Sequence, residues 1–410
     1  MSRELVEEEA ARDQAARLRT LVMQDQALQA GLDAHALQPD FTAALVDLAR
    51  AQGADLAIEH FARPPRPDPL GLSRFETPVW GAPPQVQPGW LPSQIAVTQA
   101  GLAIDWLRFG DRRLTQPFYE EAMQQARFRP FNQQFRFQTP LAGLPDWAAA
   151  LPSIPPAGFI FHMSRCGSTL AAQMLARSAA NIVVSEAAPI DGVARIARTD
   201  PAFAGQAGEG LMRAMISVFG QPRDPDARRL FVKLDSWHAM MLPLFRRAFP
   251  TTRWVFLYRD PVEVMVSQTR GLGSQMAPHF IPPSFYGLEQ PSGIIDADYC
   301  GRVLASICEA ALDAYAQGGG LLVNYRELPE ALFTKILPHF GVTLAPEERE
   351  VIAGAARFDA KAPATDFRSD SADKQAEASA SVKAACAGSL AEAYGRLEAL
   401  RRAGEARAGD

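Results

Sequence analysis

Residues 159–170 constrain the fold of this chain more than any other segment. They read FIFHMSRCGSTL, an apolar run that ends in a loop of small residues with one arginine, and the chain then resumes with a helical pattern as AAQMLARS. A strand, a short loop and a helix in this order direct several backbone N–H groups and the positive end of a helix dipole at one point. We therefore expect this turn to hold a phosphate group.

The sequence beyond residue 155 alternates between apolar strands and helical stretches. The continuous apolar runs read GFIFHM, NIVV, RLFVKL and RWVFLY, with helical segments between them. Strands of this kind are buried on both faces, so the pattern predicts an α/β fold in which a parallel sheet is flanked by helices. Ligands of such sheets bind beyond the carboxyl ends of the strands.

The rest of the chain divides by its pattern of residues. Apolar residues recur at helical spacing near the N-terminus, prolines crowd the next stretch, and alternating apolar segments follow. We predict a helical module at 1–62, a proline-rich linker at 63–92, a mixed α/β accessory segment at 93–150 and the α/β domain at 151–405. The alanine-rich stretch 374–407 is predicted to form one closing helix.

Composition limits the location and the partners of the protein. A chain of 410 residues with a net charge of −5 can bury more than one core but has no general field to attract nucleic acid or an acidic membrane. The four cysteines lack metal-site spacing, the N-terminus is too charged for a signal peptide, and no run approaches the roughly 18 apolar residues of a membrane span. We expect a cytoplasmic protein that binds neither nucleic acid nor a membrane and needs no metal; its oligomeric state stays open.

The loop departs from the phosphate loop of triphosphate-binding proteins. Such a loop begins with glycine and ends in Lys-Ser/Thr, where the lysine reaches the β- and γ-phosphates. Here His162 stands in place of that glycine and Ser168 in place of that lysine. The loop therefore suits a single 5′-phosphate better than a triphosphate.

The loop sequence SRCGSTL resembles that of the sulfotransferases that use 3′-phosphoadenosine 5′-phosphosulfate (PAPS), whose fold is related to that of P-loop nucleotidases. The resemblance implies that PAPS is the sulfuryl donor, that this loop holds its 5′-phosphosulfate, and that Arg165 also takes part in catalysis. The loop residues implied to bind the donor are Ser164, Arg165, Cys166, Gly167, Ser168 and Thr169.

A second motif, RWVFLYRDPVEVMVSQTR, places an arginine between a strand and a helix. Asp260 suits the N-cap of that helix and Pro261 its first position, so Arg259 ends the strand and Ser267 lies farther along the helix. In the sulfotransferases the matching arginine and serine hold the 3′-phosphate. The resemblance thus implies that Arg259 and Ser267 bind the group that distinguishes PAPS from ATP.

Sulfuryl transfer needs a base for the acceptor proton and cations for the leaving phosphate. Glu186 follows the strand NIVVS and is placed similarly to the catalytic glutamate of tyrosylprotein sulfotransferases. Lys233-Leu234-Asp235 aligns with the Lys-Thr-His of the family, whose lysine contacts the transferring group and whose histidine is the base. We favour Glu186 over Asp235 as the base, with Lys233 assisting; the choice between the two carboxylates stays open.

Three further residues are implied by the resemblance. Tyr325 ends the apolar strand LLVNY as does the family's tyrosine near the adenine, although an ordinary core role is equally open. Arg368 and Lys374 lie in the polar stretch ATDFRSDSADK, which we expect to be a loop that supplies basic residues to the 3′-phosphate.

The leading hypothesis is a PAPS-dependent sulfotransferase with a hydroxyl or amine acceptor, a small molecule or a peptide, that the sequence does not identify. A P-loop kinase and a non-catalytic peptide-binding protein on a nucleotide-binding scaffold are the alternatives. The N-terminal pattern LxxLVMQDxxLQxxL then FTxxLVDLAxxxGADL resembles the Nif-eleven-type helical module, a leader segment of modified peptides, which adds weight to a peptide acceptor. The Gly/Pro/aromatic stretch 270–295 is expected to be a lid or an acceptor wall.

Overall fold

The structure is a computed structural model, and it divides into two compact units. The residues it describes are 3–57, 60, 86–291, 293, 295–357 and 371–409. The N-terminal unit consists of Met1–Arg113, Glu120–Ser153 and Ser217–Asp224, and the C-terminal unit of Leu114–Tyr119, Ile154–Ile216 and Pro225–Asp410. The four-region division of the sequence stays a prediction, and residues 63–85 of its linker lie outside the described residues. None of the described helices has the length and apolar character that crossing a membrane requires.

The N-terminal unit opens with three helices, as the periodicity predicts: α1 (Arg3–Gln24), α2 (Gln26–Asp33) and α3 (Gln38–Ala51). The last residue of α2, Asp33, is buried and pairs with arginines that come from distant parts of the unit. Its carboxylate oxygens lie 2.8 Å from Arg112 and 3.1 Å from Arg129. Because a buried carboxylate requires a partner, these ion pairs fix α2 in the unit.

The mixed segment forms a three-stranded antiparallel sheet of β1 (Trp90–Thr98), β2 (Gly101–Arg108) and β3 (Phe137–Pro140). Its short helices are α4 (Tyr119–Arg127), α5 (Pro130–Phe135) and α6 (Leu144–Ala149). Many aromatic side chains of this segment are buried against one another, as in the stacked rings of Trp106 and Trp147 with centroids 4.6 Å apart. These side chains fill a core.

The C-terminal unit contains the predicted parallel sheet. Its strands lie in the order β5-β6-β4-β7-β8, and all four pairings are parallel. Every residue of β5 is buried, as expected for a strand that is covered by helices on both faces. The α/β fold class predicted from the sequence is confirmed. The strands are β4 (Pro156–His162), β5 (Asn181–Ser185), β6 (Arg229–Lys233), β7 (Arg253–Tyr258) and β8 (Gly320–Asn324).

Helices alternate with these strands and then continue to the C-terminus. They are α7 (Ser168–Ala176), α8 (Ala188–Thr199), α9 (Gln206–Phe219), α10 (Leu242–Ala248), α11 (Pro261–Arg270), α12 (Ala297–Ala316), α13 (Leu337–His339), α14 (Pro346–Gly354), α15 (Ser371–Glu377), α16 (Ala380–Ala385) and α17 (Ala391–Gly409). The prediction of one closing helix is wrong. The chain leaves the helix after α15, Ser379 caps α16 by accepting from the Val382 N–H, and the backbone of Gly388 is not helical.

The central strand β4 carries a glycine because a ring occupies the place of its side chain. A Cβ at Gly158 would lie 2.3 Å from the ring of Phe340. We expect Gly158→Ala to lower the free energy of unfolding by about 1–3 kcal/mol, since neither the strand nor the buried ring can move away without loss of packing. Chemical denaturation monitored on the whole chain measures this effect.

Two variants test the cause. Gly143→Ala places a Cβ where no atom lies within 4 Å, so its stability should match that of the wild type. Phe340→Leu combined with Gly158→Ala should recover part of the loss, because the smaller side chain makes room for the new methyl group. Unchanged stability in Gly158→Ala would contradict this packing account.

Candidate active site

A cavity of about 610 Å³ lies at the carboxyl ends of the sheet strands in the C-terminal unit. Each strand delivers a residue to its wall: β4 leads into the loop at 163–167, and Glu186, Asp235, Arg259 and Tyr325 follow the other four strands. The predicted site residues that line the cavity are Ser164, Arg165, Cys166, Gly167, Ser168, Thr169, Glu186, Asp235, Arg259, Ser267, Tyr325 and Lys374. Lys233 is not in the wall, and Arg368 lies outside the described residues.

The loop after β4 has an unusual backbone. Ser164 and Arg165 have φ angles of 96° and 51°, in the left-handed region that side chains other than glycine seldom adopt. Gly167, with φ of 83°, caps α7, and a Cβ there would lie 2.6 Å from the ring of Tyr325. The first N–H groups of a helix have no partner within the helix, so those of α7 are available to an anion in the cavity. Strain of this kind persists where the surroundings enforce it, which is typical of functional sites.

Groups at the end of α11 and in the segment that follows it hold this loop. The Ser164 hydroxyl oxygen accepts from the side-chain amides of Gln268 at 3.1 Å and Gln275 at 2.9 Å, and the Arg165 guanidinium donates to the Gly271 carbonyl at 2.9 Å. From within β4, His162 Nδ1 accepts from the Ser164 N–H at 3.1 Å. No local sequence pattern identifies the two glutamines, because their role depends on contacts between separate elements.

The same segment supplies part of the cavity wall. Gly271, Gly273, Ser274 and Gln275 line it, and the chain forms a short 3₁₀ turn at Ser274–Met276. The sequence predicts a lid or an acceptor wall at 270–295, and the first residues of this stretch line the cavity. Whether they contact an acceptor stays a prediction.

Arg259 is buried at the end of β7 and contacts three elements. Its guanidinium lies 4.0 Å from the centre of the Tyr325 ring, donates through Nε to Glu263 on α11, and donates to the hydroxyl of Ser371 on α15 at 3.2 Å. Asp260 accepts from the N–H groups of the next two helical residues at 3.0 and 3.3 Å, so the predicted N-cap is confirmed. Glu263, which sequence reasoning did not identify, fixes the direction of the arginine.

Lys374 lies in a helix and not in the predicted polar loop. It belongs to α15, is 5% exposed and lines the cavity. Polar contacts join α15 to the start and end of α11: Arg270 donates to Glu377 at 2.6 Å and Gln375 donates to Asp260 at 2.9 Å. The ammonium therefore reaches the cavity from a helix that packs against α11, the helix that carries Ser267.

Glu186 and Lys233 form a buried ion pair. The lysine side chain is 0% exposed, and its ammonium binds the Glu186 carboxylate and lies 5.0 Å from the centre of the Phe118 ring. Burial alone raises the pKa of Glu186, but the charge of Lys233 and the nearby His162 outweigh burial and leave that pKa below its ordinary range. Burial lowers the pKa of His162, so this imidazole is neutral. The glutamate is consequently a charged and weakly basic group.

Asp235 has the opposite character. Burial is the largest cause that raises its pKa, and the negative charges of Glu186 and Asp191 raise it further, well above the ordinary value of a carboxyl group. Asp235 also caps a short 3₁₀ helix at Ser236–Met241. Of the two predicted bases, Asp235 is the one whose pKa is raised above its ordinary value.

Cys166 lies in the loop but is not a nucleophile. Its thiol is buried and donates to the Leu257 carbonyl at 3.0 Å, and burial raises its pKa to about 11. A thiol that stays protonated at neutral pH packs the loop against β7 and contributes no charge. All four cysteines are buried, free thiols.

No family model and no curated protein sequence matches this chain. Among solved structures, it is similar to the sulfotransferase domain from the curacin biosynthetic pathway, with 20% identity and a TM-score of 0.32 over 48% of this chain and 77% of that one. It is also similar to a sulfotransferase from Mycobacterium avium, with 13% identity and a TM-score of 0.35 over 54% and 72%. A sulfotransferase from Alicyclobacillus acidocaldarius gives 15% and 0.31 over 49% and 90%. Similarity at this level supports no argument about activity, and the comparisons offer no support for the Nif-eleven resemblance.

Proposed function

We propose that the protein transfers a sulfuryl group from PAPS to a hydroxyl or amine of an acceptor. The observation that carries this proposal is the meeting of two phosphate-binding motifs in one cavity. The loop with Arg165 lies at the end of β4, and Arg259 lies at the end of the adjacent strand β7. Two anion sites on neighbouring strands suit a nucleotide with phosphates at both its 5′ and 3′ positions.

The residues present fit such a donor. Gly167 has a φ of 83° and admits no side chain, because the Tyr325 ring occupies the space that a Cβ would need, and it places the start of α7 at the cavity. Arg165, Arg259, Arg270 and Lys374 bring positive charge to the cavity wall. Ser168, in place of the lysine of a triphosphate loop, is the first residue of α7 and presents a neutral hydroxyl. These features favour PAPS over ATP.

The donor supplies the sulfuryl group, whose bond to the 5′-phosphate breaks as a bond to the acceptor oxygen or nitrogen forms. Arg165 and the N–H groups at the start of α7 neutralise the charge that develops on the departing phosphate. Asp235 accepts the proton that the acceptor loses, because its raised pKa makes it a stronger base than Glu186, whose pKa is lowered. The Glu186–Lys233 pair holds one face of the site and keeps Asp235 beside a fixed negative charge.

Incubation with radiolabelled PAPS and a cell extract tests this proposal. Transfer of label to a compound in the extract, with release of adenosine 3′,5′-bisphosphate, is the expected result. A parallel incubation with labelled ATP and Mg²⁺ tests the kinase alternative. Phosphoryl transfer from ATP without sulfuryl transfer from PAPS would overturn the proposal, and binding of adenosine 3′,5′-bisphosphate without any transfer would favour a non-catalytic protein.

A further inference from the structure

His238 lies between two carboxyl groups, those of Asp191 and Asp235. Its side chain is 1% exposed, its Nε2 lies 3.3 Å from Asp191 on α8, and its Nδ1 lies 3.7 Å from the Asp235 carboxylate. On its other oxygen, Asp191 accepts from Arg195 Nε at 2.7 Å. The side chains of Arg195, Asp191 and His238 thus form a series of contacts that ends at Asp235.

The hydrogen bonds fix the tautomer of His238. Nδ1 accepts from the backbone N–H of Asp235 at 3.1 Å, so in the neutral ring the proton is on Nε2, facing Asp191. A ring in this state offers no Nε2 lone pair to a cation, although Asp191, Asp235 and His238 lie within 4.8 Å of one another. His238 Nε2 and the nearer Asp191 oxygen are both buried and lie 3.3 Å apart, and neither has a hydrogen-bond partner among the described residues.

We propose that Asp191, acting through His238, is a positioning residue that holds Asp235 toward the cavity and sets the charge around it. The inference rests on the proposed function, in which Asp235 receives the acceptor proton. His238 Nδ1 accepts from the Asp235 N–H in the turn that Asp235 caps, and the Asp191 carboxylate lies 3.3 Å from the opposite nitrogen of the ring. Neither Asp191 nor His238 lines the cavity, so both act through Asp235.

The negative charge of Asp191 opposes the ionisation of Asp235. Because Lys233 is already bound to Glu186 and Arg195 to Asp191, each of the two neighbouring carboxylates has one cation while Asp235 adds a third acidic group. The ionisable groups around Asp235, by element, are His162 on β4, Glu186 after β5, Asp191 and Arg195 on α8, Lys233 on β6, His238 on its own turn and Tyr286 on the turn Pro283–Tyr286.

Infrared titration of the full chain measures the protonation of Asp235 without any substrate. The carbonyl stretch of a protonated carboxyl group that is lost in Asp235→Asn belongs to this residue, and its pH midpoint is followed in each variant. Asp191→Asn removes a negative charge that opposes ionisation, so the midpoint should fall by about one pH unit. Arg195→Gln removes the cation beside Asp191, so the midpoint should move in the opposite direction.

Glu209→Gln is the matched control, because Glu209 also pairs with an arginine at 2.7 Å and lies outside the cavity wall. Its midpoint should equal that of the wild type. An unchanged midpoint in both Asp191→Asn and Arg195→Gln would overturn the inference, and if one variant fails to fold, the other still decides. Since the titration needs no transfer, failure of sulfuryl transfer with a shifted midpoint would refute only the proposed function.

Discussion

Arg259→Ala should weaken the binding of adenosine 3′,5′-bisphosphate about 10- to 100-fold and leave the binding of adenosine 5′-monophosphate unchanged. Arg259 is 5% exposed, stacks on Tyr325 and is directed by Glu263, so its guanidinium is preorganised before a ligand arrives. A charge-assisted hydrogen bond to phosphate from such a group is strong. Only the affinity for the nucleotide with a 3′-phosphate should fall when the Arg259 guanidinium is removed. Isothermal titration calorimetry with both nucleotides measures the difference.

Two variants control for charge and for folding. Arg259→Lys keeps the charge but not the planar fork, so it should retain part of the affinity. Arg302→Ala removes an arginine whose side chain is 47% exposed and which pairs with Asp298 outside the cavity wall, and it should bind as the wild type does. Equal affinity of folded Arg259→Ala and wild type for the bisphosphate would remove Arg259 from the proposed site.

Asp235→Asn should reduce the rate of sulfuryl transfer about 100- to 10,000-fold while the affinity for adenosine 3′,5′-bisphosphate stays unchanged. The amide has the shape of the protonated carboxyl group but cannot accept a proton. In the wild type, the rate should rise with pH through the raised pKa of Asp235, because only the ionised form is a base. The acceptor found with labelled PAPS provides the assay.

Glu186→Gln separates the two carboxylates. It leaves the ammonium of Lys233 buried without its counter-charge, so we expect a loss of stability of about 3–5 kcal/mol. Protein that remains folded should still transfer the sulfuryl group, with the pH dependence of the rate moved to lower pH, because the charge of Glu186 raises the pKa of Asp235. If Glu186→Gln remains folded and inactive while Asp235→Asn transfers at the wild-type rate, the base is Glu186, as the sequence alone favoured.

The sequence predicts the parallel sheet and the residues at the carboxyl ends of its strands, because both depend on local patterns. Apolar runs separated by helical segments define the strands, and a small-residue loop before a helix marks an anion site wherever it occurs. Since parallel strands end at one edge, residues that follow different strands are brought together by topology alone. This is why Glu186, Asp235, Arg259 and Tyr325 could be placed in one site.

Contacts between distant elements could not be predicted in the same way. Gln268 and Gln275 hold Ser164, and Glu263 joins Arg259 to Ser371, through side chains whose positions no local pattern specifies. The pairing of Lys233 with Glu186 is another such contact, and proximity to the buried ammonium makes the glutamate a weak base. The closing helices were also mispredicted, since alanine-rich sequence conceals the cap at Ser379.

The central claim is that two neighbouring strand ends bind opposite ends of one bisphosphorylated adenosine. Calorimetric titration of the wild-type chain with adenosine 3′,5′-bisphosphate and with adenosine 5′-monophosphate tests it most directly. We predict that the bisphosphate binds at least about 10-fold more tightly, because only this nucleotide has a 3′-phosphate that binds Arg259. Equal affinity for the two nucleotides, or no binding of either, would contradict the claim.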